Sequence, residues 1–129
     1  MKNRNVVILS AVSLLVSPQL LWANMSYQTG DIIFHVSKSQ QSLGIQKATK
    51  SRYSHMGLIV HKNGKAWVLE AVQPVKYTAL QQWIDRGVER HYVVKRFKTN
   101  LTVQQKQQLI KNAEQYLDQP YDLYFEWDN

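Results

Sequence analysis

After Gly30 the chain alternates short apolar runs with polar breaks, and the period of each run predicts its element. "DIIFHV" (Asp31–Val36) reads as a strand entered from the turn residue Gly30. "SKSQQSLGIQKAT" predicts a helix capped by Ser37, with Leu43, Ile45 and Ala48 as its apolar contacts and Gly44 as a weak point. "YSHMGLIVH" and "KAWVLEAV" are strand-like runs joined at Asn63-Gly64, the strongest hairpin signal in the chain. Pro74 closes the second run. "TALQQWIDRG" predicts a short helix capped by Thr78 and ended by Gly87, with Leu80, Trp83 and Ile84 inward. "YVVKRF" (Tyr92–Phe97) is a further strand. "LTVQQKQQLIKNAEQYLDQP" carries Leu109, Ile110, Ala113, Tyr116 and Leu117 on one helical stripe. The aromatic "YDLYFEWDN" reads as a possible last strand. A hairpin demands antiparallel pairing, so this order implies an α+β domain on a small, mainly antiparallel sheet with packed helices.

The first residues follow a different pattern. Lys2 and Arg4 precede the apolar run Val6–Val16, Pro18 interrupts it, and "LWA" ends at Ala23. A basic start, a short apolar run and a small-residue exit form a secretory signal pattern. The run is too short for a spanning helix. We therefore expect a signal peptide at 1–23 and one domain at 24–129, in an exported, periplasmic or envelope-associated protein. Removing Lys2 and Arg4 takes the formal net charge from +7 to +5. Five of the nine acids lie from Glu114 onwards, so the body before them is strongly basic. In an exported protein this charge fits an anionic envelope surface better than nucleic acid, for which the chain has no motif.

The Asn63-Gly64 turn sets a register in which Leu58 faces Leu69 and Gly57 faces Glu70. His55, Gly57 and Ile59 then share a face with Val68, Glu70 and Val72. Met56, Leu58, Val60, Trp67, Leu69 and Ala71 take the other face. Both faces are largely apolar, which puts the hairpin at the centre of the sheet. His55 and Glu70 are the polar exceptions, diagonal neighbours within side-chain reach, and Gly57 leaves room between them. A carboxylate beside a histidine fixes its tautomer, as in hydrolase triads. The same pair also reads as two half-buried polar groups satisfying each other.

A base and its orienter need a nucleophile, and the sequence contains no cysteine. Ser54 points away from the His55 face and Ser51 lies in a loop. The four histidines, His35, His55, His61 and His91, lack metal-site spacing, and no Gly-rich phosphate loop is present, so no metal and no cofactor is expected.

"GDIIFHVSKSQQSLGIQKATKSRYSHMGLIV", "VLEAVQPVKYTALQQWIDRG", "YVVKR" and "YLDQPYDLYFEWDN" resemble the YiiX/YaeF-like permuted papain-fold amidases of the NlpC-like cysteine hydrolase superfamily. The resemblance spans nearly all of 30–129. It implies a circularly permuted papain-like fold in which the histidine precedes a glutamate and the nucleophilic cysteine comes last, at the start of a C-terminal helix. The family's Ser-His-x-Gly motif falls on His55, and its Leu-Glu-Ala motif on Glu70. Both would then be catalytic, in a Cys-His-Glu triad hydrolysing amide bonds of a small, peptide-like, acylated or cell-wall substrate. In the family a Tyr-Cys-Ser-Glu-like motif soon follows the segment resembling "PYDLYFEWDN". This sequence ends before it, which implies a domain incomplete at its C-terminus and inactive alone. The absent helix is expected to leave the face of His55, Ile59, Val68 and Val72 open as an apolar patch, with poor solubility or partial folding. The alternatives are a non-catalytic module that binds ligands in the remaining cleft, and a basic envelope-surface protein whose His–Glu pair is structural.

Overall fold

The computed structural model describes residues 27–120. The predicted signal segment and the possible C-terminal strand lie outside them. Five strands form one sheet: β1 (Ile32–His35), β2 (His55–Lys62), β3 (Lys65–Glu70), β4 (Lys76–Ala79) and β5 (Tyr92–Lys95). Their order is β4-β3-β2-β1-β5, and every neighbouring pair is antiparallel. Helix α1 (Ser42–Thr49) joins β1 to β2, α2 (Leu80–Arg86) follows β4 directly, and α3 (Val103–Glu114) follows β5. The domain is therefore α+β on an antiparallel sheet.

The β2–β3 hairpin has the expected register, with Leu58 opposite Leu69 and Lys62 opposite Lys65. Asn63 (φ 52°) and Gly64 (φ 72°) both take the left-handed conformation that a tight two-residue turn requires. The hairpin sits inside the sheet, covered by β1 on one side and β4 on the other.

One sheet face is closed by α2. Ile33, Ile59 and Val68 pack with Trp83 and Ile84 into the buried core, edged by Leu80, Tyr92 and Val94. Burying side chains of this size contributes about 1.5–3 kcal/mol each. This corrects the expectation of an open face: Trp83 and Ile84, only a short helix away from β4, already cover Ile59 and Val68. Val72 and Ala71 lie past the end of β3 and do not extend that face. On the other face Val60 and Leu69 are buried, whereas Met56 is half exposed. Helix α3 starts with a capping box between Thr102 and Gln105. At its far end Glu114 accepts from Tyr77 Oη (2.6 Å) and Lys62 Nζ (3.1 Å). At the opposite edge, buried Asp31 accepts from Arg96 Nε (2.6 Å) and Nη2 (2.7 Å) and from the Gln28 amide (2.8 Å).

Several element boundaries differ from the sequence expectation. Helix α1 begins at Ser42, not after Ser37, because Ser37 is used in a turn: its hydroxyl accepts from the Ser39 amide and its own amide bonds Ser54 Oγ. Thr78 is not a helix cap. It lies in β4, opposite Val68, a strand not foreseen because its four residues merge with the helix that follows. Helix α3 ends at Glu114, so Tyr116 falls outside its stripe and is exposed.

Gly57 marks the tightest point of the hairpin. A Cβ there would run into Val68 Cγ1 and lie 3.2 Å from the Leu69 carbonyl. The residue that needs this space is Val68 more than Glu70, whose Cβ would be 3.6 Å away. Gly57→Ala should lower stability by about 1–3 kcal/mol, the usual cost of overpacking a filled core. Urea denaturation of the two proteins checks this; equal midpoints would contradict it.

Candidate active site

The site starts at the open end of the hairpin. His55 opens β2 and Glu70 closes β3, diagonal neighbours two residues apart in register on the α2 face. Their side chains meet: His55 Nε2 lies 2.7 Å from Glu70 Oε2. Glu70 is 2 % exposed, and its other oxygen, Oε1, accepts from Thr78 Oγ1 (2.5 Å) and from Arg86 Nη2. Three elements thus converge on one buried carboxylate: β2 through His55, β4 through Thr78 and α2 through Arg86.

Burial alone pushes the Glu70 carboxyl up. The hydrogen bonds from His55 and Thr78 and the charge of Arg86 outweigh burial and bring it down to about 2. Glu70 is therefore ionised near neutral pH and can only accept. His55 must then donate from Nε2–H. In the neutral ring this leaves the lone pair on Nδ1. His55 lines a cavity of about 620 Å³ together with Ser37, Lys38, Gln41, Val72 and Arg86.

Behind His55 stands His35, its direct cross-strand partner. The His35 ring stacks on Trp83 at 3.9 Å and lies 5.3 Å from the His55 ring. Burial first, then electrostatic coupling to the neighbouring His55 and Arg86, pushes His35 down to about 4, so it stays neutral near neutral pH. Its Nδ1 is buried without a partner and faces Gly87, where a Cβ would come within 2.8 Å. His35 and Trp83 form a flat, uncharged wall behind His55.

The two residues predicted for the site, His55 and Glu70, are brought together. Ser54 is not free: its Oγ pairs with Ser42 Oγ (2.6 Å) and accepts from the Ser37 amide (2.8 Å). His61 is exposed on the outer part of β2, and His91 stacks on Tyr53. Sequence reasoning missed Thr78, Arg86 and His35. Thr78 was hidden by its reading as a cap. The alternation of β1 offered a signal for His35, since it puts that residue on the face of Ile33.

A family model described as the permuted papain-like amidase enzyme, YaeF/YiiX, C92 family, matches residues 26–129. The chain belongs to this amidase family. The uncharacterized protein YiiX from Escherichia coli K12 is 49% identical over the whole of this chain. This chain spans 61% of that protein's length. A crystal structure titled metalloprotein YiiX, from Escherichia coli O157:H7, is 55% identical with a TM-score of 0.70. That match covers 74% of this chain and 53% of the other. Membership of this family accounts for the permuted papain-like fold.

Both shifted groups make the fold acid-sensitive. Their folded pKa values lie below the unfolded ones, so the unfolded state binds more protons as pH falls and stability drops. His35 acts between pH 6.5 and about 4, and Glu70 between 4.5 and about 2. In Glu70→Gln the loss of stability between pH 4.5 and 2 should become shallower, with Asp31, also lowered, retaining part of it. Urea denaturation at stepped pH checks this; an unchanged slope below pH 4.5 would contradict it.

Proposed function

We propose that this chain carries the base and the orienting carboxylate of an exported cysteine amidase, His55 and Glu70, and does not turn over by itself. One observation carries the reading: a buried, ionised carboxylate holds His55 by Nε2 and leaves Nδ1 available beside a cavity. A general base needs that arrangement. In the reaction His55 Nδ1 takes the proton of a thiol, and the thiolate attacks the amide carbonyl carbon. The imidazolium then gives that proton to the leaving amine as the C–N bond breaks, leaving a thioester. Water, deprotonated by the same nitrogen, attacks the thioester, and the thiol leaves with the proton. Glu70 stabilises the imidazolium in each half without becoming protonated. The thiol is not among this chain's residues, because the sequence has no cysteine.

Export rests on the N-terminal pattern of Lys2, Arg4 and the apolar run ending at Ala23. The basic body suits an anionic envelope surface, and the substrate class is a small peptide-like or acylated amide. The relative titled a metalloprotein raises the question of a metal here. Among the described residues no three His, Asp or Glu side chains are grouped to hold one. His35 is stacked on Trp83 with its Nδ1 against Gly87, and His55 Nε2 is committed to Glu70. These residues do not fit a metal ion. A second reading, a cleft that binds amides without cleaving them, is favoured by the combination of a formed cavity with a cysteine-free sequence.

Replacing the matched segment of E. coli K12 YiiX by this chain tests the proposal. Assayed on a panel of acyl-4-nitroanilides, the chimera should hydrolyse at least one, and iodoacetamide should abolish this. His55→Ala in the chimera should lower kcat by about 10²–10⁴-fold. This chain alone should be inert. Hydrolysis by the chain alone, or a chimera indifferent to His55→Ala, would contradict the cysteine mechanism. A chimera that binds these amides without hydrolysing them would favour the binding module.

A further inference from the structure

The cavity beside His55 is electrostatically lopsided. Arg86 reaches its rim from the end of α2 and gives only Nη2 to Glu70. Its Nε and Nη1 have no partner among the described residues. Lys38, in the loop after β1, lines the same cavity, is exposed and bonds to nothing among the described residues. The first turn of α1 borders the cavity at Gln41 and Ile45; it holds no acidic residue and its N-cap makes no side-chain bond. An uncapped helix start adds a modest positive potential to that of the two side chains.

The opposing charge is already used. Among the described residues that line the cavity Asp85 is the acidic one, and its Oδ1 is bound by Arg90 Nε at 2.9 Å and by Gln81 Nε2 at 3.0 Å. Glu70 is buried and committed to His55, Thr78 and Arg86. Two cations therefore face the cavity with unspent hydrogen-bond donors, next to the nitrogen that would act as base.

We propose that this cavity takes an amide that also carries a carboxylate, with Arg86 and Lys38 binding the carboxylate while the amide lies against His55. A planar guanidinium with free N–H groups suits a carboxylate, and the Lys38 ammonium adds a movable second donor. Two exposed charge-assisted bonds of this kind together discriminate a charged group from its neutral isostere by about tenfold. Arg86 would thus have two roles, lowering the Glu70 pKa with one nitrogen and selecting substrate with the others. Lys38 would act on substrate only.

This inference rests on the reading of the cavity as the amide cleft, and the test separates the two. N-acetylglycine and its neutral counterpart N-acetylglycinamide are titrated into the full chain at physiological salt. Binding is read from the His55 ring signals by NMR, which ignores anions held elsewhere on a basic protein. N-acetylglycine should bind about tenfold more tightly than the neutral amide. Lys38→Gln should reduce that preference several-fold while leaving the His55 signals of the free protein unchanged. Arg86→Lys, which keeps a charge beside Glu70, should reduce it as well. Equal binding of the two probes would overturn the carboxylate preference and leave the amide cleft standing. A preference untouched by both variants would also overturn the assignment to Arg86 and Lys38. If neither probe moves His55, the amide cleft and this inference fall together.

Discussion

A carboxylate cannot be buried without partners, and the arrangement around Glu70 follows from that constraint. An isolated ionised carboxyl in an apolar interior costs many kcal/mol; it is tolerated when its lone pairs are filled by donors and its charge is matched. Glu70 meets both conditions with three donors from three elements. The hairpin supplies His55, the edge strand β4 supplies Thr78, and the helix over the core supplies Arg86. The same contacts tie β2, β4 and α2 together at one end of the sheet. Holding the fold and orienting the histidine are therefore one interaction viewed from two sides.

The core on which this depends is small. Helix α2 has seven residues, yet Trp83 and Ile84 close the sheet face over Ile33, Ile59 and Val68. Trp83 has a second task, since its ring carries the stack of His35 and through it backs His55. A rigid, neutral wall behind His55 limits its ring to one orientation without adding a competing charge. Gly57 and Gly87 permit the close approaches on either side, one against Val68 and the other against His35.

The legible parts of this site were those written in local signals. Asn63-Gly64 specifies a turn whose geometry fixes register, and register alone puts His55 and Glu70 on one face as neighbours. The cap-like Thr78 misled because a threonine before an amphipathic run suits a helix start as well as a strand, and only the pairing with β3 decides. Arg86 could not be foreseen from periodicity: its reach to Glu70 depends on how α2 folds back over the sheet. His35 faces His55 because β1 pairs with β2 across an intervening helix, a long-range choice that no short motif encodes. Likewise the face expected to stand open is covered at Ile59 and Val68, because α2 folds onto it.

The central claim is that Glu70 holds His55 by Nε2 and so presents Nδ1 as the base. Long-range proton–nitrogen correlation NMR on the His55 ring of the folded chain, at a pH where the ring is neutral, tests it directly. The account predicts a single tautomer with the proton on Nε2 and Nδ1 bare, collapsing to a mixture in Glu70→Gln. A proton on Nδ1, or a tautomer mixture already present with Glu70 intact, would contradict it.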